Sequence, residues 1–238
     1  MPAGVDGAGA SNGQVWTADG ADGAGWVAAN PSLSDYENVV VVDAGGNGDY
    51  TTLGAAVSGE VSAKTFYVIG DTIEVSNITP VDGSVFVIPS GSSVNFTGVS
   101  FLFLNNNSNI VITGNGEISA ETGQVIAQTN GSHTILGTKI SGTGKAMELQ
   151  GGEFYHYGAR VLGADGALAI LFTQAITGLS LGSYYKGNES PGFSDYCLSN
   201  TGAAWADAPF YHGAIYGNLN GIAMDAGTTR GTCVQIYP

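Results

Sequence analysis

The feature that most narrows the fold of this sequence is an imperfect repeat of short apolar runs. They begin at Phe66 (FYVI), Val85 (VFVI), Phe101 (FLFL), Val125 (VIAQ), Ala146 (AMEL) and Leu168 (LAIL), at steps of 19, 16, 24, 21 and 22 residues. A second set, starting at Ile73, Val94, Ile110, Thr134, Phe154 and Ile176, advances by 21, 16, 24, 20 and 22. A third, shorter set is visible at 117–119, 139–141 and 160–162, and Gly, Asn, Ser, Thr and Asp fill the gaps. Dense β-branched and aromatic residues bounded by turn formers read as strands. Two sets that drift together imply that each repeat is one turn of a coil, with like strands stacked in parallel about 4.8 Å apart. An antiparallel sandwich also shows many short strands, but gives no reason for a shared phase over six repeats. The expectation is an all-β, parallel coil of about six turns.

FYVI, VFVI and FLFL are apolar at both parities, whereas Glu74, Asn95 and Tyr155 alternate with apolar neighbours in the second set. A strand with one face in water alternates, and a run apolar throughout is covered on both sides. The sequence offers no helices to cover that face, so the expected cover is another copy of the chain around an axis, a homotrimer.

Three segments follow. Residues 1–33 are rich in Gly, Ala and Asp, contain Pro31, and show little periodicity. They read as an arm, and Trp16 and Trp26 are expected to dock it, because a free linker gains nothing from large apolar rings. Residues 34–183 hold the coil, with a short capping helix near 50–58 whose stripe is Leu53, Ala56 and Val57 and whose cap is Asp49 or a following Thr. Residues 184–238 leave the repeat and hold six of the 11 tyrosines. They are expected to be a C-terminal β cap protecting open strand edges, or a recognition tip of aromatic residues suited to sugars.

Charge excludes several partners. Six Lys+Arg against 20 Asp+Glu give a net charge of −14, and no basic stripe serves a phosphate backbone, so nucleic acid is not expected. No stretch approaches eighteen apolar residues, and the opening Met1–Asp6 lacks the basic and apolar regions of a leader, so neither membrane insertion nor secretion is expected. Cys197 and Cys233 form either one bridge or two free buried thiols.

The run Val41-Val42-Asp43-Ala44-Gly45-Gly46-Asn47-Gly48-Asp49-Tyr50-Thr51-Thr52-Leu53-Gly54-Ala55-Ala56-Val57 resembles the strand, turn and capping helix that open many right-handed parallel β-helices of the pectate-lyase-like superfamily, bacteriophage tailspikes included. Asn12-Gly13-Gln14-Val15-Trp16-Thr17-Ala18-Asp19-Gly20, followed by Trp26, resembles a segment near the N-termini of phage tail fibre and tailspike proteins. Together the matches cover about a quarter of the chain. The resemblance implies a right-handed parallel β-helix, a trimer, a place in the virion tail with residues 1–33 against a tail adaptor or portal-proximal protein, and attachment to host surface polysaccharide.

Candidate chemistry is sparse. Glycoside hydrolysis usually uses two carboxylates, and Glu148 and Glu153, flanking the turn 150–152, are the candidate catalytic pair for a depolymerase. Solvated carboxylates on a coil surface are equally ordinary, and attachment without cleavage is the preferred reading. Tyr155, Tyr157, Arg160, Tyr184, Tyr185, Trp205 and Tyr211 are the candidate glycan-binding residues, and Asp165 shares the repeat of the first three. No Asp-Phe-Ile-Phe-Gly-like strand of pectin methylesterases is present, nor the tight acidic cluster a calcium-dependent lyase needs. His133, His156 and His212 lie far apart without His-x-His or Cys-x-x-Cys partners, so no metal or cofactor is expected unless symmetry gathers copies on the axis. Three acidic chains would repel an anionic glycan, so attachment is expected to depend on divalent cations. A capsid decoration or head fibre protein is the remaining alternative.

Overall fold

The computed structural model describes residues 38–98, 101–104, 108–164, 168–173 and 176–187, apart from the Phe103 side chain, and the backbone of seven further strands. Those strands are Gln14–Asp19, Gly23–Ala28, Leu198–Asn200, Phe210–Tyr211, Ala214–Tyr216, Gly231–Thr232 and Gln235–Tyr237. The chain divides into two units, 1–37 and 38–238. In the first, β1 (Gln14–Asp19) and β2 (Gly23–Ala28) form an antiparallel hairpin with Trp16 opposite Trp26.

The second unit is a parallel β-solenoid of three sheets. The nine-stranded sheet contains β3 (Val39–Asp43), β4 (Thr65–Ile69), β6 (Val85–Val87), β9 (Asn109–Thr113), β12 (Ser132–Leu136), β15 (Glu153–Tyr157) and β18 (Thr177–Leu181), then two C-terminal strands. An eight-stranded sheet contains β5 (Asp71–Glu74), β7 (Ser93–Phe96), β10 (Glu117–Ala120), β13 (Lys139–Gly142), β16 (Arg160–Gly163) and β19 (Tyr184–Lys186), and likewise ends in two C-terminal strands. The five-stranded sheet holds β8 (Leu102–Leu104), β11 (Ile126–Gln128), β14 (Met147–Leu149), β17 (Ile170–Phe172) and β20 (Leu198–Asn200). One strand of each sheet makes a turn. Six turns visit all three sheets, the first reaching the third side only through the bridge between Ile78 and Leu102.

The parallel coil is therefore as expected, but the register differs from the sequence reading. FYVI and VFVI lie in the nine-stranded sheet, while FLFL and the later members of that set lie on or beside the five-stranded sheet. The 16-residue steps are changes of side, not turns. True neighbours in the nine-stranded sheet, such as Val85, Val111, Thr134 and Tyr155, are 26, 23 and 21 residues apart. All three sides point apolar residues at one bore, so apolar runs alone do not tell one side from another.

Inward residues fill that bore. Phe66 stacks on Phe86 with ring centroids 5.4 Å apart, and Phe154 meets Phe172 at 5.7 Å. At the first turn lies α1 (Leu53–Gly59), whose buried stripe is Leu53, Ala56 and Val57. Its cap is Thr52, whose hydroxyl accepts from the Ala55 N–H at 3.2 Å, and the helix starts later than Asp49. The N–H groups of Leu53 and Gly54 donate to the buried Glu74 carboxylate at 2.6 and 2.9 Å, which ties the helix to the eight-stranded sheet. Asp49 instead accepts from the Val41 N–H at 2.8 Å, and the segment at Asp49 and Tyr50 covers the edge of β3.

Candidate functional site

The outward surface of the nine-stranded sheet carries two uncharged columns. Register places Thr65, Val85, Val111, Thr134, Tyr155 and Leu179 in one, and Tyr67, Val87, Thr113, Leu136, Tyr157 and Leu181 in the other. Neither column contains Asp, Glu, Lys or Arg in six turns of a chain whose net charge is −14. Leu136 and Leu181 are about two-fifths exposed, at 38% and 41%. An outward column beside these two runs Asn109, Ser132, Glu153 and Thr177, and there the charge begins.

The outward surface of the eight-stranded sheet is polar. Its ladder runs Asp71, Ser93, Glu117, Lys139, Arg160 and Tyr184. Ser93 donates to Asp71 at 2.7 Å, Lys139 pairs with Glu117 at 2.9 Å, and Ser141 donates to Glu117 at 2.5 Å. The Arg160 guanidinium carbon lies 5.7 Å from the centre of the Tyr184 ring, a cation–π contact. Two shallow hollows open here. The first, of about 560 Å³, is lined by Asp71, Ser93, Glu117, Lys139 and Arg160 among others; the second, of about 340 Å³, by Asn95, Ser119, Glu121, Ser141 and Leu162 among others. Small hydroxyl and amide side chains on a stiff sheet can exchange hydrogen bonds with sugar hydroxyls, and an aromatic ring can support a sugar face.

The expected site residues fall on all three sides of the coil. Glu148 points outward from the five-stranded sheet, in register with Ala127 and Leu171, whereas Glu153 starts a strand of the nine-stranded sheet. Each carboxylate has its own partners. Glu148 pairs with Lys145 at 2.6 Å and accepts from Gln150 at 2.9 Å, while Glu153 accepts from the Tyr155 hydroxyl at 2.8 Å. Partial burial pushes the Glu148 carboxyl up, but the Lys145 ammonium and the Gln150 amide outweigh it and hold the group below the usual carboxylate range. A general acid needs the opposite shift. The hydrogen bond to Glu153, with burial and charge adding to it, raises the Tyr155 phenol above its ordinary value.

Tyr155 and Tyr157 point outward, and Arg160 and Tyr184 sit together on the polar side. Tyr185 is a correction. Its neighbour Tyr184 takes the outward position, so Tyr185 points into the bore, is 1% exposed, and is out of reach of any glycan. The Trp16 and Trp26 side chains, that of Tyr211, and Trp205, Asp165, Cys197 and Cys233 lie outside the described residues.

Inside the bore is a group of residues that sequence reasoning missed. The ring nitrogens His133 Nε2 and His156 Nε2 are 2.8 Å apart, His133 Nδ1 is 2.6 Å from Gln128 Oε1, and His156 Nδ1 is 2.8 Å from the Tyr185 hydroxyl. The hydroxyls of Tyr185 and Ser180 are 2.8 Å apart. The signal was present, because His133 and His156 are 23 residues apart, the length of one turn. Among the described residues, no group of three or more His, Cys, Asp or Glu is placed to hold a metal ion.

Compared with known proteins, the chain matches no family model, no curated relative and no solved structure. Function has to be argued from the surfaces.

Proposed function

We propose that this chain is a viral tail appendage, a homotrimeric β-solenoid shaft that attaches the virion to host surface polysaccharide. The observation that carries the reading is the pair of uncharged columns. Identical chains of charge −14 repel one another, so a stable contact between them needs a face free of charge, and these columns run through all six turns. The nine-stranded sheet, rather than the whole first set of apolar runs, is the face that sister chains would cover. A long stiff shaft suits an appendage, and the resemblance of the segments 41–57 and 12–26 to tailspike and tail fibre proteins supports the same reading. The tryptophan hairpin would dock the shaft to the tail, and the right-handed wind and the C-terminal cap or tip belong to the same proposal.

The polar side would hold the glycan, with Arg160 and Tyr184 as its centre and the two hollows along its length. Attachment is favoured over cleavage because Glu148 and Glu153 face different sides and Glu148 is held ionised by Lys145 and Gln150. Labelling the protein in whole virions, with adsorption of the purified chain to host cells, tests the reading. Label at the tail and saturable adsorption lost on removing surface polysaccharide support it. Label spread over the shell favours a capsid decoration protein, and release of reducing ends abolished by Glu148→Gln favours a depolymerase.

A further inference from the structure

The buried side chains between the third and sixth turns form one unbranched hydrogen-bonded line, and its proton order follows from one end. Gln128 Nε2 faces the carbonyl oxygens of Gly151 at 2.7 Å and Glu153 at 3.2 Å, so this nitrogen is the donor and Oε1 must accept. His133 therefore carries its proton on Nδ1 and donates it to Gln128, leaving Nε2 as an acceptor. Only one proton fits between the facing Nε2 atoms, and it belongs to His156. His156 Nδ1 is then an acceptor, filled by the Tyr185 hydroxyl, and the Ser180 hydroxyl completes the line. All five side chains are buried, none more than 2% exposed.

The line crosses turn boundaries at each step. Gln128 belongs to the third turn, His133 to the fourth, His156 to the fifth, and Ser180 and Tyr185 to the sixth. The bore of the first two turns is instead filled by Phe66, Phe86, Val94, Phe96 and Leu102. We propose that the Gln128–His133–His156–Tyr185–Ser180 line is an acid-sensitive latch that holds the third to sixth turns together at neutral pH and releases them on acidification, ahead of the first two.

The geometry sets the response. A second proton on either imidazole puts two N–H groups nose to nose across 2.8 Å, with nothing nearby to stabilise the charge. The walls of the line are Phe154, whose ring centroid is 5.0 Å from that of His156, together with buried apolar residues of the adjacent strands. Among the described residues, the titratable groups facing it are the two histidines and Tyr185. The one buried carboxylate, Glu74, is engaged at α1. Burial pushes His133 down to about 3, and burial with its neighbour His133 pushes His156 well below its ordinary value. Both groups therefore contribute full stability above pH 6.5 and lose it as pH falls below that, because the open form takes up the proton first. At pH 4.5 each histidine favours opening by about 100-fold.

Hydrogen exchange on the whole chain at pH 7.0 and 4.5, corrected for intrinsic rates, tests the latch. Protection of β12, β15 and β18 should fall by 100-fold or more while β4, β6 and β7 change several-fold less. Nitrogen-15 histidine spectra should show the Nδ1–H form of His133 and the Nε2–H form of His156 at neutral pH. Replacing both by glutamine keeps donors and acceptors but removes the titration, so this variant, if folded, should lose the regional acid response. The proposal is overturned by uniform loss of protection, by no loss in the later turns, by a histidine titrating near 6.5 in the folded chain, or by an unchanged response in the folded variant.

Discussion

Glu74 shows how much one residue can hold. From β5 it reaches across the first turn to two backbone N–H groups that α1 cannot satisfy internally. Glu74→Ala leaves the buried Leu53 N–H without this acceptor, and the expected loss is about 2 to 4 kcal/mol in equilibrium unfolding. Gly152 is fixed for a different reason. It sits at φ +84°, and a Cβ there would lie 2.0 Å from the Gly131 carbonyl oxygen and 2.9 Å from Gln128 Nε2. Gly152→Ala should cost about 2 kcal/mol or more, where an exposed Gly→Ala elsewhere would be neutral. Much of the candidate surface was legible at this scale: Arg160 and Tyr184 were identified, and α1's stripe and Thr cap were expected. Tyr185 was misread because Tyr-Tyr in a strand gives no parity, and one of two adjacent residues must point inward.

At the scale of strands and sheets, the sequence disclosed the coil but not which side each run belongs to. Strands of three residues, such as Val85–Val87 and Leu102–Leu104, are too short for alternation to be diagnostic. The steps of 16 residues were counted as turns because two neighbouring sides both read as apolar runs. The histidine line was hidden for the same cause, since residues one turn apart become neighbours only once the register is right. The uncharged columns make a prediction here. Val111→Asp, midway along one column, should leave the circular dichroism of the coil intact and dissociate the assembly, because each copy would bring an unpaired carboxylate into the contact. Lys139→Ala, on the polar side, should leave assembly unchanged.

For the whole molecule, the strongly negative charge shapes both assembly and attachment. A trimer would approach an anionic glycan against its own field, which cations screen. Adsorption to cells bearing an acidic polysaccharide should therefore fall when divalent cations are chelated, whereas an equal adsorption with and without chelator removes the cation requirement. The account rests above all on sister chains covering the uncharged side of the solenoid. Sedimentation equilibrium of the purified chain at neutral pH measures this directly. A mass three times that of one chain, falling to that of a single chain for Val111→Asp, is the expected result; a wild-type chain that sediments as a stable monomer contradicts it.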